Sequence, residues 1–333
     1  MATNTTQYGN DSISQLKGAD RVRKRPGVIF GSDGLDGCEH AVFEILSNSI
    51  DEAREGHGNL ITLTYYEDKS IEVEDFGRGC PMDWNPVEKR FNWELVFCEL
   101  YAGGKYNNLD GGDYEFSLGL NGLGSCATQY ASEYMDVTVW RDGNKYTLHF
   151  KKGKVCGKKG KELLVEPADR KKTGTTIRWK ADNTIFKETT TYNFDVLAQR
   201  LRELAFLNPG ITIIFRDERL ETPKEVTYKF EGGIRHYVTF LNEGKKIMPA
   251  EPIYISGETE GVQMEVAMQY NDNYDEKIYA YVNDINTKEG GTHLDGFKIA
   301  LTVTLNRFLE KNEKLQKRLL IKTAAKNGAI AIK

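Results

Sequence analysis

At 333 residues, 39% of them hydrophobic, the chain can bury a large core and is long enough for two domains. A net charge of −4 excludes a protein whose whole surface coats nucleic acid. No apolar run approaches the ~20 residues of a membrane span, and Cys38, Cys80, Cys98, Cys126 and Cys156 form no C-x-x-C pair, so neither a zinc site nor a disulfide framework is indicated.

Residues 1–18 are a polar arm without a signal-peptide core and cannot build a core by themselves. Arg23-Lys24-Arg25-Pro26-Gly27 predicts a turn beside three cations, either a solvated loop or a subunit contact. The helix predicted over 38–55 organises the chain around it. On a 3.6-residue period Val42, Phe43, Ile45, Leu46, Ile50 and Ala53 fill one arc, and Glu44, Asn48, Asp51 and Glu55 share the opposite one. Glu44 can polarise a water and Asn48, one turn on, can offer an oxygen to a hard cation. The same arc also suits a plain solvated face. A strand ending at 73 runs into Glu74-Asp75-Phe76-Gly77-Arg78-Gly79-Cys80-Pro81, where glycines and a proline stop it and let a ligand approach the backbone. Asp75 at that break can accept a hydrogen bond from an amine, such as that of adenine, or serve as a turn aspartate.

The stretch 93–100 has a helical period, and 101–114 contains Gly103, Gly104, Gly111 and Gly112, a composition that suits a lid. Gly119-Leu120-Asn121-Gly122-Leu123-Gly124-Ser125 precedes a helix predicted over 126–132. Glycines there let backbone N–H groups surround a phosphate, although no Gly-Lys-Ser/Thr follows and the stretch is not a Walker A loop. Strands at 137–140 and 145–150 flank a hairpin turn at 141–144. The six lysines of 151–161 suit a basic patch for DNA or, because no aromatic residue interleaves them, more readily a solvated hairpin tip. Thr173-Gly174-Thr175 opens a strand through Trp179. An amphipathic helix over 194–207 ends at Asn208-Pro209-Gly210, and a strand comes next at 211–215. Polar composition over 216–225 marks a domain boundary, set at 222. Beyond it, 228–241 precedes strands at 253–256, 263–270 and 277–283. Gly290 to His293 then opens a long helix over 294–309, and 329–333 is a last short strand. His293 beside Gly-Thr reads as satisfying neighbouring groups rather than as a catalytic base.

The order Glu44-x-x-x-Asn48-x-x-Asp51-Glu52-Ala53, then Asp75-x-Gly77-Arg78-Gly79-x-Pro81, then the glycine loop resembles the GHKL ATPases. Arg23 to Gly27, Ala102-Gly103-Gly104-Lys105, Thr173 to Thr175, Leu204-Ala205-Phe206-Leu207-Asn208 and Gly290-Gly291-Thr292-His293-Leu294 are similar to the B subunits of bacterial type IIA topoisomerases, gyrase and topoisomerase IV. The resemblance runs from Tyr8 to about Phe308. It implies an α+β fold: a dimerisation arm over 1–18, a Bergerat-type ATPase sandwich over 19–222 and a smaller, truncated α/β transducer domain over 223–333. It implies ATP hydrolysis with Mg²⁺, with Glu44 as general base and Asn48 as metal ligand. Asp75 would read adenine with Gly77, Arg141 and Thr175 beside it. Glu52 and Arg78 would pair in the pocket wall, with Pro81 in the same nucleotide-binding loop. Lys105 and Gly119, Leu120, Asn121, Gly122, Leu123, Gly124 and Ser125 would hold the phosphates.

The resemblance also implies that Tyr8, on an arm anchored by Ile13, reaches the nucleotide of a second copy. The implied partners are that second copy, joined on ATP binding, a topoisomerase A subunit and double-stranded DNA passed through the gate so formed. The implied setting is the cytoplasm. A nucleotide-gated dimerisation clamp without useful hydrolysis is the other reading of the same motifs. Arg23 to Gly27 and Gly290 to Leu294 argue against a mismatch-repair ATPase or a chaperone of the GHKL group. The chain departs from the family pattern at Phe76, usually acidic, at Ser47, usually Asp, and at Asn121, usually His. It stops at Lys333, before a lysine loop that would contact the γ-phosphate, so an ATPase-plus-transducer fragment or a reduced natural relative is expected.

Overall fold

The computed structural model describes residues 13–103, 122–273, 275–312 and 328–332. Tyr8, Lys105, Gly119, Leu120 and Asn121 lie outside the described residues, as does most of the arm and of the expected lid. Within the described chain, 13–103, 122–194 and 215–225 form one compact unit, and 195–214, 226–312 and 328–332 belong to a second.

The first unit begins with two short helices, α1 (Asp20–Arg23) and α2 (Pro26–Phe30), and the long α3 (Leu35–Arg54). Then come β1 (Leu60–Tyr65), β2 (Ile71–Asp75), a small ribbon of β3 (Trp84–Asn85) and β4 (Arg90–Phe91), and the helices α4 (Asn92–Cys98) and α5 (Gly124–Tyr130). Five strands complete the unit's sheet: β5 (Ser132–Arg141), β6 (Asn144–Lys151), β7 (Lys154–Val155), β8 (Leu164–Pro167) and β9 (Gly174–Ala181). The sheet runs β1-β2-β9-β5-β6, antiparallel throughout, and β7 and β8 both pair with β6. Alternation sets its faces: in β2, Ile71, Val73 and Asp75 point inward and Glu72 and Glu74 only partly so. Helix α3 lies across β1, β2 and β9, with α2 and α5 against its flanks.

That position widens the buried arc of α3 beyond the predicted stripe. Cys38, Ala41, Val42, Ile45, Leu46, Ser49 and Ile50 are buried, whereas Phe43 and Ala53 are only partly so. Asp51, expected on the solvent arc, is 2% exposed. Helices as well as sheet touch α3, so its burial exceeds the width of one apolar face. Pro26, expected in a turn, is the first residue of α2, where its missing N–H costs nothing. Of the three neighbouring cations only Arg23 turns inward. Its Nη2 lies 2.6 Å from Asp182 Oδ2 and its Nη1 donates to the Tyr130 carbonyl at 3.0 Å, tying α1 to the end of α5.

Helix α6 (Phe194–Leu207) and strands β10 (Thr212–Asp217) and β11 (Lys224–Lys229) contribute residues to both units. The second unit adds α7 (Gly233–Leu241), β12 (Ile247–Thr259), β13 (Val262–Asn271), β14 (Glu276–Val282), β15 (Ile285–Asn286), α8 (Thr292–Glu310) and β16 (Gly328–Ile332). Its sheet order is β12-β13-β16-β14-β15, with β16 antiparallel to β13 and parallel to β14. Phe206, Leu207, Ile234, Tyr237, Val238, Ala267 and Tyr281 form its core. Strand β12 starts six residues before the expected 253, because Pro249 and Pro252 hide a strand that is interrupted by a register shift between Met248 and Ile253. His293 Nε2 lies 2.9 Å from Thr287 Oγ1, in line with a satisfied rather than a catalytic histidine.

Candidate functional site

Asp75 ends β2 and is 8% exposed. Its Oδ1 accepts from the N–H groups of Gly77 at 3.0 Å and Thr175 at 3.2 Å, and its Oδ2 from the Ser49 hydroxyl at 2.8 Å. An ionised carboxylate has about four lone-pair sites, so one remains for a further donor. Burial pushes the Asp75 carboxyl above the usual carboxylate range. The hydrogen bonds from Gly77, Ser49 and Thr175 work in the opposite sense, and the Glu52 charge adds to the rise. Two glycines allow this packing. A Cβ on Gly174, which has φ +136°, would overlap the Asp75 carbonyl oxygen, and one on Gly79, with φ +79°, would overlap the Trp140 carbonyl oxygen.

The loop after Asp75 is held on both sides. Arg78 forms a two-pronged pair with Glu52, Nε to Oε2 at 3.1 Å and Nη2 to Oε1 at 3.0 Å, and its backbone N–H donates to the same carboxylate at 3.2 Å. Arg141 Nη1 donates to the Gly79 carbonyl at 2.7 Å, and the Cys80 N–H donates to Thr175 Oγ1 at 3.2 Å. Pro81 comes directly after. The pairing of Glu52 with Arg78 agrees with expectation. Arg141 acts on the loop backbone through a carbonyl, and Thr175 engages Asp75 through its backbone and the loop through its hydroxyl.

Glu44 stands about two turns earlier on the same face, at the middle of α3. His40 Nε2 lies 3.0 Å from Glu44 Oε1, one helical turn away. Glu44 Oε2 has no hydrogen bond among the described residues and points to Gly124, where a Cβ would overlap it. Asn48 Nδ2 donates to the Glu44 carbonyl at 3.1 Å and reaches Ser125 Oγ at 3.5 Å. Gly122, with φ +57°, and Leu123 lead into this contact. Two glycine-rich segments thus meet one face of α3, Gly77 against Glu52 near its C-terminal end and Gly124 against Glu44 at its middle. Eight residues of helix separate them, about 12 Å along the axis at 1.5 Å per residue.

Three contributors were not singled out from the sequence. Ser49 sits one turn beyond Ile45, and its hydroxyl is spent on Asp75. His40 precedes Glu44 by four residues, a spacing that could have been read. Gly174 was seen only as part of a strand opening. Among the described residues no group of three or more His, Cys, Asp or Glu side chains is placed to hold a metal ion, and no helix is long and apolar enough to cross a membrane.

The family model described as DNA gyrase B matches residues 233–332. The chain is 48% identical over 314 residues to the B subunit of DNA gyrase from Treponema denticola, covering 94% of this chain and 48% of that protein. It is 41% identical over 309 residues to the B subunit of DNA topoisomerase 4 from Staphylococcus epidermidis, covering 93% and 45%. It therefore spans about half the length of these relatives. Among solved structures, the 43K ATPase domain of Thermus thermophilus gyrase B, in complex with an aminocoumarin, superposes with a TM-score of 0.74 at 30% identity, over 95% of this chain and 81% of that one. The topoisomerase IV ATP-binding domain of Francisella tularensis gives 0.73 at 29% identity, over 96% and 82%.

Proposed function

The chain belongs to the family formed by the B subunits of DNA gyrase and topoisomerase IV, and from that membership we propose that it binds and hydrolyses ATP along α3. The observation that carries this is the spacing of the two glycine-rich segments on one helix face, with a nearly buried acceptor at one end and a carboxylate with an open oxygen at the other. Residues 19–222 are the ATPase domain and 223–333 the transducer domain.

Asp75 uses its remaining acceptor site for the adenine amine, with Gly77, Arg141 and Thr175 holding the loop around it. The Glu52–Arg78 pair and Pro81 fix the pocket wall. Gly122, Leu123, Gly124 and Ser125, with Gly119, Leu120, Asn121 and Lys105, hold the phosphates. Glu44 is the general base. His40 holds Oε1, so Oε2 takes the proton as a water attacks the terminal phosphorus and the bond to the bridging oxygen breaks, giving ADP and phosphate. Asn48 would offer its amide oxygen to Mg²⁺, a hard cation that takes oxygen ligands. When bound, that ion would neutralise phosphate charge. In the intact enzyme, ATP joins two copies through the arm bearing Tyr8 and Ile13. With a topoisomerase A subunit, the gate so formed passes double-stranded DNA in the cytoplasm.

Replacement of Glu44 tests the chemistry. Glu44→Ala should bind ATP within a few fold of the parent by calorimetry and hydrolyse it ~10²- to 10⁴-fold more slowly, the usual worth of a positioned base. Normal turnover in a clean preparation removes Glu44 from the role.

A further inference from the structure

Six of the chain's 45 cations fall within residues 151–161, a stretch that holds none of its 49 acids. Lys151, Lys152, Lys154, Lys158, Lys159 and Lys161 are all exposed, and among the described residues none of them is in an ion pair. Glu133, whose carbonyl accepts from the Lys152 N–H, has its carboxylate 3.5 Å from Lys180. Among the described residues no carboxylate is within ion-pair distance of these six ammonium groups, on a chain that is acidic overall.

Their arrangement opposes the stability of the free hairpin. In the β6–β7 register Lys151 is directly opposite Lys154, and like charges in that position destabilise a strand pair. Lys152 turns the hairpin at φ +48°, whereas the neighbouring β5–β6 turn uses the favoured Asp142-Gly143. A second turn, closed by the Lys161 N–H donating to the Lys158 carbonyl at 2.8 Å, sets three more lysines beside the first. The tip is nonetheless fixed in place. A Cβ on Gly153 would meet Ala19 Cβ, with Tyr130 Cδ1 at 3.5 Å and Arg23 Cδ at 3.8 Å, so the turn packs on α1, itself tied down by Arg23 and Asp182. A locally unfavourable charge arrangement on an anchored support is expected where a ligand supplies the missing charge.

We propose that the β6–β7 hairpin and the turn after it form a docking surface for the phosphate backbone of duplex DNA. Without interleaved aromatics the surface lacks base-stacking platforms, which favours the sugar-phosphate exterior of a duplex over unpaired bases. The proposal rests on the function above only in choosing DNA among polyanions. Each lysine that neutralises a phosphate steepens the fall of log K with log salt by ~0.9.

The test uses the whole chain and a 40-base-pair duplex without nucleotide, followed by fluorescence anisotropy across a salt series. The triple variant Lys152→Gln, Lys158→Gln, Lys159→Gln should lower the slope by about 2.7 and weaken binding on the order of 10²-fold at 0.1 M salt. The corresponding Lys→Arg triple variant should keep both. DNA-free ATP turnover should not change in either. Equal slopes and affinities for parent and Gln variant would overturn the proposal. Polyglutamate binding that matches duplex binding in affinity and salt slope would overturn the choice of DNA. If the parent chain does not hydrolyse ATP, the nucleotide reading fails while the salt slopes still decide this one.

Discussion

Asp75 carries a burial cost that its function would require. Its pKa is raised, so the folded state holds the proton more tightly than the unfolded chain does. Stability from this group is present at low pH and is lost as pH rises from the ordinary carboxylate value through the raised one. Asp75→Asn should remove that dependence. Asn Oδ1 can still accept from Gly77 and Thr175, and Asn Nδ2 can donate to the Ser49 hydroxyl, so the variant should fold. At pH 7 it should be at least as stable as the parent, and the advantage should vanish in acid, as thermal melts across pH 3–7 would record. ATP binding should fall by about 1–3 kcal/mol in calorimetry, because a donor would then face the adenine amine. At this scale the shared helix of Glu44 and Asn48 and the strand end at Asp75 were legible in the sequence, since a helical turn and a strand break are local features. The burial of Asp51 and the bond from Ser49 were not, because a helical wheel sorts by polarity alone and the partner of Ser49 is distant in sequence.

Helix α3 works through what its neighbours leave out. Ala at position 124 would favour helix by propensity alone, yet its Cβ would overlap Glu44 Oε2 and sit 3.2 Å from the Glu44 carbonyl oxygen. Gly124→Ala should therefore fold and retain most ATP affinity while turnover drops on the order of 10²-fold, as expected when a catalytic group is displaced by about 1 Å. Paired calorimetry and steady-state assays would separate the two effects, and unchanged turnover would show that Gly124 does not set the position of Glu44. The β5–β6 turn, β6, α6 and α8 lie close to their predicted spans, because strong periodicity and turn residues specify them locally, whereas β5 starts five residues before the predicted 137. Helix α2 and the start of β12 were hidden by prolines whose role depends on context, first helical residue in one case and register shift in the other.

At the scale of the molecule, the family proposal makes assembly depend on nucleotide. A non-hydrolysable ATP analogue should convert the chain to a dimer in light scattering, and deletion of residues 1–12 should abolish that conversion while ATP binding by one copy persists. A monomer at saturating analogue would remove the arm from the proposed gate. The five thiols spread through the chain bear on how such closure can be tracked. Burial pushes the Cys38 and Cys98 thiols up to about 12 and raises that of Cys126 as well, so these three stay protonated at neutral pH, and Cys38 and Cys126 are also buried from solvent. Cys80 is only half-buried, and its N–H shares Thr175 with the Asp75 loop. A mild electrophile should therefore modify Cys80 well before those three, and bound nucleotide should slow the reaction, which peptide mass spectrometry would resolve. The loop beside Asp75 is in this sense an attachment point: a ligand with a donor for Asp75 and a weakly reactive carbon a few bonds away could be fastened covalently in the pocket.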